Sequence, residues 1–255
     1  MSNYLLGFII GITSLIPGIS AGTIIYLTSD CANTWEIIKD FKHNISNILK
    51  ILIGIILGVL IFSKIIEYLF IYFPYETIYL FIGFLLLNLK NSFVKTKNLN
   101  IFFLIFGALI IYFLYMLSPS NELVYTNFPQ LSLIFLINFS LSGFADGFLT
   151  ITPGISGSMV MMILGPYYLY KSYLANFTFS KIIVIPLLCY FIFDILGFYF
   201  GARFSSYMLK NSKKNFQSFI LGMMLASIII LIPNYFSLSC LIFFLGGLLF
   251  ARKFI

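Results

Sequence analysis

The sequence predicts an all-α polytopic membrane protein with an inverted-topology repeat, each half a re-entrant helical hairpin plus three transmembrane helices. Three observations lead to this prediction. Of the 255 residues, 61% are hydrophobic and 9% are charged, and the mean hydropathy is +1.05; a water-soluble domain does not have this composition. One apolar motif occurs twice. Basic residues gather on one side of the membrane only if each motif is a hairpin.

The repeated motif reads GFIIGITSLIPGISAGTIIYL at 7–27 and GFADGFLTITPGISGSMVMMIL at 143–164. Proline lacks an N–H group and biases the residue before it away from helical geometry, so the Pro-Gly pairs at Pro17 and Pro153 break a helix. Ser20 and Ser156 are then placed as N-caps of a new helix, whose first N–H groups face the break.

The first motif is too short to cross a membrane on either side of its break. Its arms, 4–16 and 20–28, reach roughly 20 and 13 Å, against about 30 Å for the hydrocarbon core. We therefore expect a re-entrant hairpin at 4–28, which other helices must shield from lipid.

The second motif predicts an equivalent hairpin at 131–164, followed by a short interfacial stretch at 170–180. Each hairpin precedes three spans, at 48–68, 75–89 and 101–117 in repeat 1 (1–120) and at 181–203, 216–232 and 238–250 in repeat 2 (130–255). The spacings Gly54-x-x-x-Gly58 and Gly197-x-x-x-Gly201 predict close helix packing. Three crossings per half place the second hairpin on the opposite face, which makes the repeat inverted.

The 15 lysines and arginines distinguish hairpins from kinked spans. With hairpins, the face that holds both termini carries twelve of them and the other face carries three. With kinked spans the division is eight to seven, which gives no orientation signal. The positive-inside rule therefore favours hairpins and places both termini in the cytoplasm.

The paired motifs, with LGPY at 164–167 after the second, resemble a bacterial membrane family formerly called domain of unknown function three-six-eight and now regarded as undecaprenyl phosphate translocases. The resemblance covers essentially the whole chain. Two departures are Ser14, where the family usually has an acidic residue, and Ala21, where it usually has glycine. The resemblance implies a flippase that returns undecaprenyl phosphate from the outer to the cytoplasmic leaflet for the synthesis of peptidoglycan and other envelope polymers.

The broken helices also suggest a phosphate site on physical grounds. Helix N-termini attract anions through free N–H groups and a partial positive charge, and small residues permit close approach. The candidate phosphate-binding residues are Gly18, Ser20, Gly22, Thr23, Gly154, Ser156, Gly157 and Ser158. Two opposed hairpin tips would hold one phosphate near the midplane, while the prenyl chain stays in lipid. The alternative is that the breaks and small residues serve only hairpin packing.

Five ionisable residues are further candidates. Asp146 and Asp194 lie in apolar runs, where a charge is costly and tends to mark a transport path; either could carry a coupled proton or form a structural hydrogen bond. Arg203 could guide the phosphate or anchor its helix in the cytoplasm. Lys171 and Lys181, on the outer face, could recruit the headgroup or snorkel to the interface.

Other classes of protein fit less well. The alternative function is an ion-coupled secondary transporter of a small soluble anion, since inverted repeats with discontinuous helices serve many substrates. An enzyme is not expected, because the apolar segments offer no histidine nucleophile, paired acidic metal motif or cysteine loop. We expect no cofactor, metal or nucleic acid; the partners are the polyprenyl phosphate lipid and membrane lipids, and homo-oligomerisation is left open.

Overall fold

The computed structural model describes residues 2–17, 45–96, 99–117, 123–125, 127–150, 152 and 156–254. These ranges contain ten helices and no strand. The helices are α1 (Asn3–Ser14), α2 (Ile45–Tyr72), α3 (Pro74–Lys95), α4 (Ile101–Leu117), α5 (Leu133–Thr150), α6 (Gly157–Leu164), α7 (Pro166–Ala175), α8 (Lys181–Asn211), α9 (Lys213–Leu231) and α10 (Leu238–Phe254). The prediction of an all-helical membrane protein is confirmed.

Length and composition separate eight of the ten described helices into two groups. Helices α2, α3, α5, α8 and α9 are long and apolar enough to cross a membrane, whereas α1, α4 and α10 are shorter apolar helices. Helix α5 has 18 residues, so its length would also allow it to cross, although the sequence predicts it as the leading arm of a hairpin. The inverted repeat and its hairpins therefore stay predictions, and the trailing arm of the first hairpin lies outside the described residues.

Several predicted spans are parts of longer helices. The span at 48–68 belongs to a helix of 28 residues, which ends just before Pro74, and the span at 181–203 belongs to a helix of 31 residues. A proline starts a new helix readily but cannot continue the hydrogen-bond ladder of the preceding one. Polar residues beyond the apolar run can stay helical where the chain leaves the hydrocarbon, so hydropathy marks a shorter segment than the helix.

The first half of the predicted interfacial stretch at 170–180 belongs to a helix that is buried within the protein. Helix α7 continues to Ala175, and its residues Tyr167, Lys171 and Tyr173 are fully buried. Apolar and aromatic residues lie on all of its faces, which is typical of a helix inside a bundle. Gly165, with φ 95°, joins α6 to α7 in a conformation that favours glycine. Helices α6 and α7 together form the centre of the protein.

Glycines bring the helices of two pairs into backbone contact. In the α1–α2 pair, a Cβ atom added at Gly54 or Gly58 would overlap the backbone of α1 at Tyr4 or Phe8. In the α5–α8 pair, a Cβ atom added at Gly197 would overlap the carbonyl group of Phe144. Close packing at these three glycines, which their spacing predicts, is confirmed.

Two further helix pairs connect the halves of the chain. Helix α3 packs on α10 at Gly83 and Gly247, and helix α4 packs on α9 at Gly107 and Gly222. Each pair therefore joins the second span of one predicted repeat to the third span of the other.

Candidate functional site

The second Pro-Gly motif ends one helix and starts another, as the sequence predicts. Helix α6 begins at Gly157 after Ser156, whose backbone is extended with φ −105° and ψ 126°. The Ser156 hydroxyl makes no capping hydrogen bond to this helix; its Oγ lies 2.7 Å from the Oγ of Ser158. Both serines are buried. The N-terminus of α6 therefore carries two adjacent hydroxyl groups.

These hydroxyl groups line an internal cavity of about 330 Å³. Its polar lining consists of Ser14, Asp146, Thr150, Ser156, Ser158, Asp194 and the tyrosines Tyr167, Tyr170 and Tyr190. Its apolar lining includes Ile10, Leu15, Ile55, Val59, Met161, Phe191 and Phe198. Both predicted repeats contribute to the walls, and among the described lining residues the two acids, Asp146 and Asp194, come from the second repeat.

Asp146 is held in this cavity by two hydrogen bonds. The hydroxyl of Tyr190 donates to Oδ2 of Asp146 at 2.7 Å, and the hydroxyl of Thr150 donates to Oδ1 at 3.3 Å. Asp194 faces the same cavity from α8, one helical turn after Tyr190. The two acids that the sequence singles out separately therefore belong to one site.

Tyr190 and Thr150 are site residues that the sequence analysis misses. Thr150 follows Asp146 by four residues, and Tyr190 precedes Asp194 by four residues. Residues four apart lie on the same face of a helix. A search for hydroxyl groups at this spacing from the two acids would have found both residues.

Gly157 lies at the site, but the position that a side chain would occupy is filled by neighbouring protein atoms. A Cβ atom at this position would overlap the Oδ1 and carbonyl oxygen of Asp146 and the hydroxyl of Thr150. The absent side chain therefore makes room for the Asp146 carboxylate, and contact between Gly157 and phosphate stays a prediction.

The structure does not bring the basic candidates into the cavity. Lys181 is exposed at the first residue of α8, and Arg203 is exposed with its guanidinium 4.9 Å from the centre of the Tyr199 ring. Lys171 is buried within the bundle, with an exposed fraction of 0%, and its position on the outer face stays a prediction. Gly18, Ser20, Gly22, Thr23 and Gly154 lie outside the described residues.

No group of three or more histidine, cysteine, aspartate or glutamate side chains that could hold a metal ion occurs within the part of the chain that the structure describes. Several hydroxyl groups in the cavity, those of Ser14, Thr150, Tyr167 and Tyr190, already donate to protein acceptors. The serine hydroxyls at the N-terminus of α6 are donors that suit an anion.

A bundle of long apolar helices around a cavity lined by both polar and apolar side chains defines the chain as a multi-pass membrane protein with features of a transporter. A family model described as "VCA0040-like: Undecaprenyl phosphate translocase-like" matches residues 28–242. The chain therefore belongs to this family, and the resemblance inferred from its paired motifs is confirmed.

Two relatives have the name polyprenyl-phosphate transporter. The relative from Vibrio cholerae serotype O1 is 23% identical over 250 residues, which cover 89% of this chain and 76% of the relative. The relative from Staphylococcus aureus is 23% identical over 244 residues, which cover 91% of this chain and 86% of the relative. No solved structure matches the chain. These names describe transport and not an enzymatic reaction, and they support a role in lipid-carrier transport.

Proposed function

We propose that this chain is a flippase that returns a polyprenyl phosphate, of the undecaprenyl phosphate class, from the outer to the cytoplasmic leaflet for reuse in envelope synthesis. The observation that carries the proposal is the internal cavity into which the N-terminus of α6 presents the hydroxyls of Ser156 and Ser158. A phosphate group needs donors of this kind, and a helix N-terminus adds a partial positive charge. The names of the relatives supply the substrate class.

The size of the cavity limits which part of the lipid enters it. A volume of about 330 Å³ is at the lower end of the range for pockets that hold small ligands, roughly 300–1,000 Å³. The phosphate group fits such a space, but a long prenyl chain does not. The chain of the lipid therefore stays in the bilayer while the headgroup passes through the protein.

Pairs of equivalent residues support an inverted repeat with the cavity on its symmetry axis. Three pairs line the cavity: Ile10 and Asp146, Ser14 and Thr150, and Ile55 and Asp194. Superposing the two motifs aligns the first two pairs. In the third pair, the carbonyl oxygen of Ile55 lies against Gly11, and the carbonyl oxygen of Asp194 lies against Gly147. These two glycines occupy equivalent positions in the aligned motifs. Two opposed hairpins related by a pseudo-twofold axis would produce this arrangement.

The same comparison exposes an asymmetry that suits proton coupling. The second repeat has Asp146 and Asp194 where the first has isoleucines. A lipid phosphate beside two carboxylates would place three anionic groups in a poorly hydrated cavity, which is strongly unfavourable. We infer that the carboxylate pair takes up a proton when the phosphate enters, with Asp194 or Asp146 as the carrier.

Two exposed basic residues on α8 suit headgroup guidance. Lys181 and Arg203 are 22 positions apart on one helix, which corresponds to about 33 Å, close to the thickness of the hydrocarbon core. If α8 crosses the membrane, these side chains lie near its two interfaces. They would attract the anionic headgroup at the outer and the cytoplasmic surface, respectively.

The proposal can be tested in proteoliposomes that contain a fluorescent short-chain polyprenyl phosphate. The double variant Ser156→Ala/Ser158→Ala should stay folded, because it removes both partners of one hydrogen bond, and should bind the headgroup more weakly. A hydrogen bond to a charged group contributes roughly 1.5–3 kcal/mol, or about tenfold to hundredfold in affinity. Ser142→Ala/Ser206→Ala, two serines outside the cavity lining, is the matched control.

The proposed function would be refuted if the lipid moved no faster in vesicles with the wild-type protein than in empty vesicles. Movement of a small soluble anion in place of the lipid would favour the alternative carrier. Full transport by the folded Ser156→Ala/Ser158→Ala variant would exclude the phosphate site at α6.

A further inference from the structure

Lys171 is a buried cation that the proposed phosphate site does not use. Its exposed fraction is 0%, and its Nζ has no hydrogen-bond partner among the described residues. The ammonium group lies 4.7 Å from the centre of the Phe70 ring. Lysine has three donors, and a buried polar group without partners is uncommon in proteins, so this side chain calls for a specific explanation.

The neighbouring acid is Glu67 on α2, which is buried with an exposed fraction of 7%. Its negative charge interacts favourably with the positive charge of Lys171. Both oxygens of Glu67 accept from Nδ2 of Asn176, at 3.1 and 3.2 Å. The lysine is therefore compensated in charge, while the carboxylate of its counter-ion accepts from Asn176 and Ser172 and not from the ammonium group. A simple structural ion pair would engage the ammonium group directly.

This cluster lies close to the central cavity. Tyr167, one helical turn before Lys171 on α7, lines the cavity and donates its hydroxyl to the carbonyl of Leu15 at 2.9 Å. The ring of Phe70 contacts Phe81 and Tyr168, with centroids 6.0 and 5.4 Å apart, and Phe81 contacts Tyr167. A chain of aromatic contacts therefore connects the cavity lining to the Phe70 ring beside the ammonium group of Lys171.

We propose that Lys171 is a further phosphate-binding residue, outside the site at α6, on which the lipid headgroup rests as it passes between the membrane surface and the central cavity. Glu67, oriented by Asn176, is the positioning residue that holds the lysine while no phosphate is bound. The unused donors of Lys171 match the oxygens of a phosphate monoester, and a movement of α2 away from α7 would give the headgroup access to them. This inference rests on the proposed function.

A set of neutralising variants separates this role from a structural one. Lys171→Met and Glu67→Gln each leave one buried charge without its partner, so both should lower the melting temperature in detergent. The double variant Glu67→Gln/Lys171→Met has no such charge and should recover the melting temperature of the wild type. Its transport of polyprenyl phosphate should remain reduced by about tenfold or more, because a charged contact to the phosphate is lost.

Lys64→Met is the matched control, since Lys64 is exposed on the same helix as Glu67. If the double variant recovers both stability and transport, the pair is structural and the inference is overturned. If the wild-type protein itself fails to move polyprenyl phosphate, the proposed function fails first. The two failures are therefore distinguishable.

A measurement on the wild-type protein covers the case in which the variants do not fold. A membrane-permeant, amine-reactive reagent is applied to proteoliposomes, and modification of Lys171 is quantified by mass spectrometry. Polyprenyl phosphate should protect Lys171 from modification, whereas the uncharged polyprenol should not. Equal protection by both lipids, or no protection by either, would overturn the proposal.

Discussion

Gly147→Ala tests whether the close contact between α5 and α8 positions the acids of the cavity. A Cβ atom at Gly147 would overlap the carbonyl oxygen of Asp194 and approach its Oδ1. The backbone of α8 cannot easily yield, because Gly143 packs equally tightly on the carbonyl group of Tyr190 one turn away. The two helices must therefore move apart, and Asp194 must move with α8.

The expected loss of stability in Gly147→Ala can be worked out by comparison with Gly246→Ala. Gly246 has no atom within 4 Å of an added Cβ, so alanine there gains only the helix propensity of about 1 kcal/mol over glycine. Gly147→Ala has the same gain, which cancels in the comparison, but also overpacks a helix interface. Overpacking typically costs about 1–3 kcal/mol. We expect Gly147→Ala to be less stable than Gly246→Ala by this amount.

The assay is equilibrium unfolding of both variants in a mild detergent, together with transport in proteoliposomes. Gly246→Ala should transport like the wild type, and Gly147→Ala should be slower because the spacing of Asp146 and Asp194 has changed. Equal stability of the two variants would refute the close packing, and normal transport by a destabilised Gly147→Ala would show that this spacing is not critical.

Three further predictions concern coupling, the support of the acids and topology. Asp194→Asn should still bind the lipid, but its transport should no longer respond to an imposed proton gradient in proteoliposomes, because the amide cannot carry a proton. Tyr190→Phe removes the hydroxyl group that donates to the carboxylate of Asp146. A hydrogen bond to a charged group contributes roughly 1.5–3 kcal/mol, so this variant should have a lower melting temperature and a lower transport rate. Single cysteines at Lys213 and Asn234, introduced after the three native cysteines are replaced, should react with impermeant reagents from the cytoplasmic and the outer side, respectively.

Each of these three predictions would be contradicted by a particular result. An unchanged gradient response in Asp194→Asn would remove this residue from the coupling step. Tyr199→Phe, on the exposed surface of the same helix as Tyr190, is the control for the tyrosine variant, and equal effects of both would show that the hydrogen bond is unimportant. Reaction of both cysteines from the same side would contradict the predicted crossing of α9.

Much of the fold could be predicted because its signals are local. The helix at Ile101–Leu117 has the bounds of its predicted span, since an apolar run flanked by polar residues determines where a helix leaves the hydrocarbon. The start of α6 at Gly157 follows from the proline four positions earlier and from the preference for serine at the N-cap. Close packing at Gly54 and Gly58 follows from their spacing.

The candidate site could be predicted only in part. The acids Asp146 and Asp194 stand out in apolar runs, but the carboxylate of Asp146 is fixed by Tyr190, which is 44 residues away along the chain. Lys171 looks like an interfacial residue by its charge. Its burial arises because α2 covers it with Phe70 and Glu67, and no local pattern records that contact.

The sequence by itself determined the membrane as the medium, the apolar segments and the positions of the breaks, because hydrophobic length and proline geometry act through neighbours in the chain. Only the tertiary structure decided which helices pair, which acids share a cavity and which lysine is buried. Tyr167 illustrates the difference, since its hydroxyl donates to the carbonyl of Leu15, 152 residues earlier. Such a contact depends on the packing of whole helices, and its free energy is not encoded in the residues on either side of it.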